Sequence, residues 1–390
     1  MGCLKSAAVT VADVLCDFVR ALRLDNDQAR AAAHIMGCRT GRLGGHRALC
    51  NHCFELHFVY HSCRNRHCPR CGHLDQALWA EAQIQHLLPV SYFHLIFTVP
   101  ASLRPFFLKQ PRALAFNALF AAASQTLLEV GHSHGVHFGV LAVLHTWTQR
   151  LTFHPHIHCL VTGGGLEPGG FVHRQRYLLP RKILQTVFKA KLLQNLQILH
   201  RERRLAVARH SGYELLRDAS LRKWNVEIRR PLGGPRQVVE YFARYTRRIA
   251  ISNSRIVSYD NQTVVFRWRD SAHGNRQKLA RLDGKTFARR FLQHVLPARF
   301  VRIRRYGLLS NRTRKDAIQR CRELLGVDPP PEPTPESRAQ ASLRLFGRDP
   351  GLCPKCRQGR LVVTAVWRAT RLDIDLVIAW LLRQPLAQPP

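Results

Sequence analysis

Two histidines flank one apolar residue in His156-Ile157-His158, and the run that follows them, Cys159-Leu160-Val161-Thr162, has the composition of a strand. A third histidine, His145, lies eleven residues upstream in a second strand-like run, residues 139–147. With residues 149–155 as the turn, an antiparallel pair sets His145 opposite His158 and Trp147 opposite His156. Directly opposed residues share a face, as do residues two apart on one strand. All three imidazoles then point the same way from adjacent strands, and a one-residue slip in register would scatter them to both faces. Three imidazoles facing one cavity suit a divalent metal that keeps positions open for substrate oxygens. The rival reading is a half-buried strand that holds a few of the chain's 21 histidines.

Charge says what such a cavity would work on. Sixty Lys and Arg against 25 Asp and Glu give a net charge of +35 over 390 residues. Most of the cations are arginine, whose planar fork matches phosphate, so a polyanion is the expected partner and nucleic acid the first choice. An apolar content of 46% implies a large folded core, and the length suggests two or three domains. No uninterrupted apolar run approaches the ~18 residues of a membrane span, so no membrane partner is expected. Asp13 and Asp17 inside the first apolar stretch argue against a signal peptide. Gly2 and Ser6 fit a loose myristoylation pattern, but with no polybasic anchor beside them the match is coincidence.

Twelve cysteines, several in CxxC pairs, read as metal ligands in a reducing cytoplasm. Cys50-x2-Cys53 and Cys68-x2-Cys71, fourteen residues apart, have the spacing of two knuckles closing one tetrahedral Zn²⁺ site. Cys38, His46, Cys63 and His67 are left over, either as a second zinc site or as accessory residues. Arg39, Arg42, Arg64, Arg66 and Arg70 would turn such a module toward phosphate. Cys353-x2-Cys356 lacks a following partner pair, and nothing is built on it.

The order of patterns predicts an α+β chain. Residues 1–88 carry N-terminal helices and the zinc module, and 89–275 a catalytic domain. A basic DNA-binding extension at 276–327, a proline-rich linker at 328–340 and a tail at 341–390 complete the division. Residues 237–251 read as a helix with Tyr241 and Tyr245 one turn apart on one face. A tyrosine hydroxyl, with a pKa of about 10, needs a metal to polarise the phosphate it attacks. On spacing alone Tyr245 is equally a member of an apolar stripe with Val238, Phe242 and Ile249. Arg244, Arg247 and Arg248 lie off that stripe. Arg302, Arg304 and Arg305 form a second basic cluster interrupted by Phe300 and Tyr306, the alternation that stacking on unpaired bases would use.

Five ordered segments, at 62–71, 92–100, 145–165, 241–256 and 291–307, resemble the two-tyrosine HUH transposases of insertion-sequence family ninety-one. The resemblance implies an antiparallel sheet backed by helices, bearing the metal ligands, with the tyrosine helix laid across it. It implies a single-stranded DNA endonuclease and strand transferase that forms a 5′-phosphotyrosine and leaves a free 3′-OH. His156 and His158 match the metal ligands of that family, with Mg²⁺ or Mn²⁺ as the ion, and Tyr241 and Tyr245 match its nucleophiles. For the third ligand, strand geometry favours His145, with Gln149 as the alternate. Single-stranded DNA at element ends and target is the implied partner, and a monomer is compatible with the scheme. A replication initiator or relaxase of the same chemistry, and a non-enzymatic zinc-finger DNA binder, are the alternatives.

Overall fold

The computed structural model describes residues 9–174, 178–206, 209–232, 237, 250–270, 273–332, 334–368 and 371–383. Tyr241 and Tyr245, with Arg244, Arg247 and Arg248, lie outside them. In chain order the helices α1 (Val11–Phe18) and α2 (Asn26–Gly37) lead into strands β1 (Gly44–Cys50) and β2 (Leu56–Tyr60). Helix α3 (His73–Ile84), strand β3 (Tyr92–Thr98) and helices α4 (Arg104–Lys109) and α5 (Arg112–Ser133) follow. Strands β4 (His137–Trp147), β5 (Phe153–Glu167) and β6 (Gly170–His173) precede helices α6 (Arg181–Arg201) and α7 (Arg209–Leu221). Then come β7 (Asn225–Leu232), β8 (Ile256–Tyr259), β9 (Thr263–Asp270), β10 (Arg276–Asp283) and α8 (Gly284–Leu292). Last are β11 (Ile303–Gly307), α9 (Arg314–Leu325), α10 (Arg338–Phe346), β12 (Leu361–Arg368) and α11 (Arg371–Leu382).

The α+β architecture expected from the sequence is the observed one. The main sheet has the order β11-β4-β5-β3-β7, with β6 added against β5, and its pairings are antiparallel. Alternation along the strands divides its residues between two faces. Phe93, Leu95, Phe97, Val140, Ala142, Leu144, Ile157, Cys159 and Val161 enter the largest core with Phe116, Leu119 and Phe120 of α5 and Phe188 and Leu192 of α6. The opposite face carries Tyr92, Leu141, Val143 and Leu160 into a smaller core with Leu308, Leu309 and Ile318. Its other end presents His94, His145, His156 and His158. By length and composition α5 is apolar enough to cross a membrane, although polar residues such as Asn117, Ser124 and Gln125 interrupt its apolar run. In the fold 61% of its most apolar window is buried.

The expected domain boundaries do not follow the packing. β11, assigned by sequence to a separate basic extension, is a strand of the main sheet paired with β4. The N-terminal helices share one core with residues 250–295: Val11, Leu15, Ala32 and Ile35 are buried with Ile251, Phe266, Phe287 and Phe291. The tail is no appendage either, because β12 pairs antiparallel with β1 over Gly44–Cys50. Each discrepancy is a long-range pairing, which local patterns do not encode.

Candidate metal centres

The histidine-bearing hairpin closes through a short turn in which Thr148 N donates to Thr152 O and Leu151 N to Thr148 O, both at 3.0 Å. Leu151 sits at φ 59°, a left-handed conformation unfavourable for a branched side chain. It is held there because its side chain is fully buried in the N-terminal core and its carbonyl accepts from Gln293 Nε2 at 2.8 Å. The strand therefore begins at Phe153, earlier than the expected turn allowed. His145 stands opposite His156, and Val143 opposite His158. The expected register, His145 against His158 and Trp147 against His156, is corrected by two residues, and a bulge between His145 and Trp147 absorbs the odd residue. A two-residue slip preserves the face, so the expected convergence survives the wrong register.

His145, His156 and His158 bring their ring nitrogens within 4.8 Å of one another, a spread that ring rotation closes onto one ion. All three are buried. Their second nitrogens determine which lone pairs face the cavity. The His156 Nδ1–H donates to the His154 carbonyl at 2.6 Å, which leaves Nε2 as the ligating atom. His158 Nδ1 lies 2.7 Å from Nε2 of His94, a buried histidine stacked on it at 5.0 Å. With His158 Nδ1–H as donor, Nε2 is the His158 atom that would ligate a metal. Desolvation lowers the pKa of His156 to about 4, with Arg104 adding to the shift. Desolvation also takes His158 well below its ordinary range, aided by His145 and His156. Burial depresses His94 to about 3. These rings are neutral at physiological pH, as ligation requires.

A cavity of about 600 Å³ opens over the three rings. Arg104, Lys223 and Arg229 line it beside Glu227, the one carboxylate there among the described residues, which accepts from Arg229 Nε at 2.9 Å. Its rim includes His154, whose buried Nδ1 has no hydrogen-bond partner among the described residues. Gln149, the alternate third ligand, also lines the cavity. Three nitrogen donors with an open side fit a catalytic geometry, and an all-imidazole set favours Mn²⁺ over the oxygen-seeking Mg²⁺. His94 was not singled out from the sequence, because only the long-range β3–β5 pairing connects it with His158.

The cysteines form two clusters, and neither is the expected one. Cys50 and Cys53 do not close with Cys68 and Cys71. Cys38, Cys63, Cys68 and Cys71 form one group, and Cys50, Cys53, Cys353 and Cys356 the other. Sγ–Sγ separations are 3.7 Å for Cys63–Cys71, 3.7 Å for Cys50–Cys356 and 3.8 Å for Cys53–Cys353. Those lengths match the edge of a tetrahedron with Zn–S of about 2.3 Å, an edge of about 3.8 Å, and are far beyond a disulfide bond. The donor sets therefore fit Zn²⁺ twice, and the tail pair is half of a site. His46 and His67 join neither cluster. His46 lies against His61 at 6.0 Å, and His67 Nε2 accepts from Leu296 N at 3.2 Å.

Several arginines expected to face phosphate have partners inside the protein. Arg66 donates to the carbonyls of Phe300 and Pro297, each at 2.6 Å, and Arg70 to Cys38 O at 3.1 Å and Thr10 Oγ1 at 3.1 Å. Arg304 bonds Asn117 Oδ1 at 2.5 Å and lies over the rings of Phe120 and Phe300, while Arg305 bonds Gln83. Burial lowers the Arg302 pKa to about 10, with Arg66 adding to the shift. Arg64 is exposed.

A transposase family model matches residues 139–317, and the transposase zinc-binding domain model matches residues 10–99. The protein y4qJ of Sinorhizobium fredii (strain NBRC 101917 / NGR234), described as a transposase, is 37% identical over 379 residues, covering 92% of this chain and 95% of its own. The transposase for insertion sequence element IS801 of Pseudomonas savastanoi pv. phaseolicola is 29% identical over 347 residues, 87% of this chain and 83% of its own. No solved structure matches the chain.

Proposed function

Because the chain belongs to the transposases of insertion-sequence family ninety-one, it acts on DNA, and we propose that it does so as an HUH single-strand endonuclease and strand transferase. The observation that carries this reading is the convergence of His145, His156 and His158 under an open cavity edged by Arg104, Lys223 and Arg229. These histidines would hold Mn²⁺ or Mg²⁺, which when bound polarises the scissile phosphate. The three cations attract the phosphodiester backbone to the cavity, whatever its sequence. The main chain at His154, with His94, holds the ligand rings in their binding tautomers.

Tyr241 and Tyr245 are the proposed nucleophiles. Support comes from where the chain departs and returns. β7 starts beside the histidines, since Asn225, Glu227 and Arg229 line the cavity, and ends at Leu232, opposite Tyr92. At Ala250 and Ile251 the chain lines a second cavity with Trp147 and Gln149, two residues that also border the histidine cavity. The described chain on the far side of the tyrosine segment thus resumes, at Ala250, beside two residues of the histidine cavity, which supports the assignment. In the reaction a P–Oη bond forms and the P–O3′ bond breaks. The phenolic proton is released and the departing 3′-oxygen takes up a proton, giving a 5′-phosphotyrosine and a free 3′-OH. The ester linkage is retained, so rejoining needs no external energy source. A second tyrosine lets the protein hold one end while cutting another.

The test is cleavage of labelled single-stranded element ends with Mn²⁺ on a denaturing gel. His156→Ala and His158→Ala should abolish cleavage while equilibrium DNA binding persists, because dispersed contacts to the backbone supply the affinity. Cleavage at the parental rate by either variant would sink the reading.

A further inference from the structure

The sheet built from both ends of the chain has a face that the histidine chemistry does not use. β1 is its centre, with β2 on one side and β12 on the other. Gly45 pairs with Tyr60 and Trp367, and Arg47 with Phe58 and Ala365, so Phe58, Tyr60, Trp367 and Arg47 share one face. The Trp367 ring stands edge-on between Phe58, at 6.3 Å, and Tyr60, at 6.2 Å. It lies over the backbone of Gly45, where an added Cβ would meet the indole at 2.8 Å. Phe58 is 55% and Tyr60 37% exposed, and Trp367 is half-buried. Buried aromatics are ordinary, whereas an exposed, mutually packed group marks an interaction surface.

Charge identifies the occupant. The strands GGHRALC, LHFVY and LVVTAVWR contain no Asp or Glu. Arg47 is exposed at the middle of the face, its Nε on Thr364 Oγ1 at 3.1 Å. The carboxylate next along the chain from β2, Glu55, is taken by Lys355 at 2.5 Å. A second copy of this chain, at +35, would bring like charge to the face. A polyanion that also offers flat apolar rings fits both halves of the surface. We infer that this face binds single-stranded DNA, with unpaired bases stacked on Phe58, Tyr60 and Trp367 and Arg47 beside the backbone. Stacking of this kind tolerates any base sequence. Trp367 belongs to the tail, so the platform exists only while Cys353 and Cys356 hold β12 against the N-terminal module.

The inference rests on the DNA partner of the transposase, and its test is independent of cleavage. Binding of labelled oligothymidylate to the full chain is followed by fluorescence anisotropy without added Mg²⁺ or Mn²⁺, beside a duplex of equal length. Trp367→Ala and Phe58→Ala should each weaken single-strand binding by about 5- to 150-fold while leaving duplex binding unchanged. Trp367→Phe should restore most of the affinity, and an unchanged zinc content in each variant shows that β12 is still clasped. Two results overturn the inference. One is parental single-strand affinity in both alanine variants, or a Phe variant as weak as the Ala one. The other is a parental dimer in sedimentation, without DNA, that Trp367→Ala dissolves.

Discussion

The cysteine clusters and the histidine cluster are built to opposite specifications. Each cysteine group supplies four thiols, with the Cys63–Cys71, Cys50–Cys356 and Cys53–Cys353 separations at tetrahedral edge length, and so would close around an ion. The histidine group supplies three nitrogens on one sheet face and leaves the fourth side open to a cavity of about 600 Å³. Closed sites contribute to folding, while open ones leave coordination positions for substrate. The two cysteine groups differ in turn. One lies within residues 38–71, and the other joins residues some 300 positions apart.

The sharpest way to break this contrast is to open a closed site. Cys38 and Cys68 are buried in the core shared by the N-terminal helices and residues 250–295. Cys38→Ser or Cys68→Ser should therefore cost most of the folding energy of that half, since structural zinc contributes on the order of 10 kcal/mol. The expected result is loss of the cooperative thermal transition together with loss of zinc. An unchanged midpoint would remove this cluster from the folding account.

Cys353→Ser combined with Cys356→Ser should have a smaller, regional effect. Zinc should fall from two ions per chain to one, and the proline-rich stretch at 328–337 should become readily cleaved in limited proteolysis. The main sheet should stay folded, because among the described residues no strand of it comes from the tail. Two zinc ions retained in this variant would show that the tail pair is not a ligand.

His94→Ala probes the open site without touching a proposed ligand. It removes the group that fixes the His158 tautomer, so Mn²⁺ affinity should drop by about 10- to 100-fold with little change in thermal midpoint. Calorimetric titration of Mn²⁺ decides it, and parental affinity would mean that His94 only fills space.

What the sequence disclosed follows the same division. The common face of His145, His156 and His158 was legible because period two survives a two-residue error in register. The cysteine partners were not. Cys50-x2-Cys53, Cys68-x2-Cys71 and Cys353-x2-Cys356 are alike locally, and only the return of β12 beside β1 decides which pairs meet. Composition likewise counts arginines without telling which guanidinia will cap the protein's own carbonyls, as Arg66 and Arg70 do. Arg302, Arg304 and Arg305 were readable as a basic cluster with Phe300 and Tyr306, but the place of β11 beside β4 depends on a partner more than 150 residues earlier.

The central claim is that the three-histidine site serves a tyrosine nucleophile. It is tested most directly by incubating the full chain with single-stranded element ends and Mn²⁺, then mapping the covalent adduct by mass spectrometry. The account predicts a 5′-phosphotyrosine on Tyr241 or Tyr245, at most one adduct in each single Phe variant, and none in the double variant or in His156→Ala. An adduct on Tyr177, Tyr213 or Tyr259, or one that survives Tyr241→Phe with Tyr245→Phe, would contradict it.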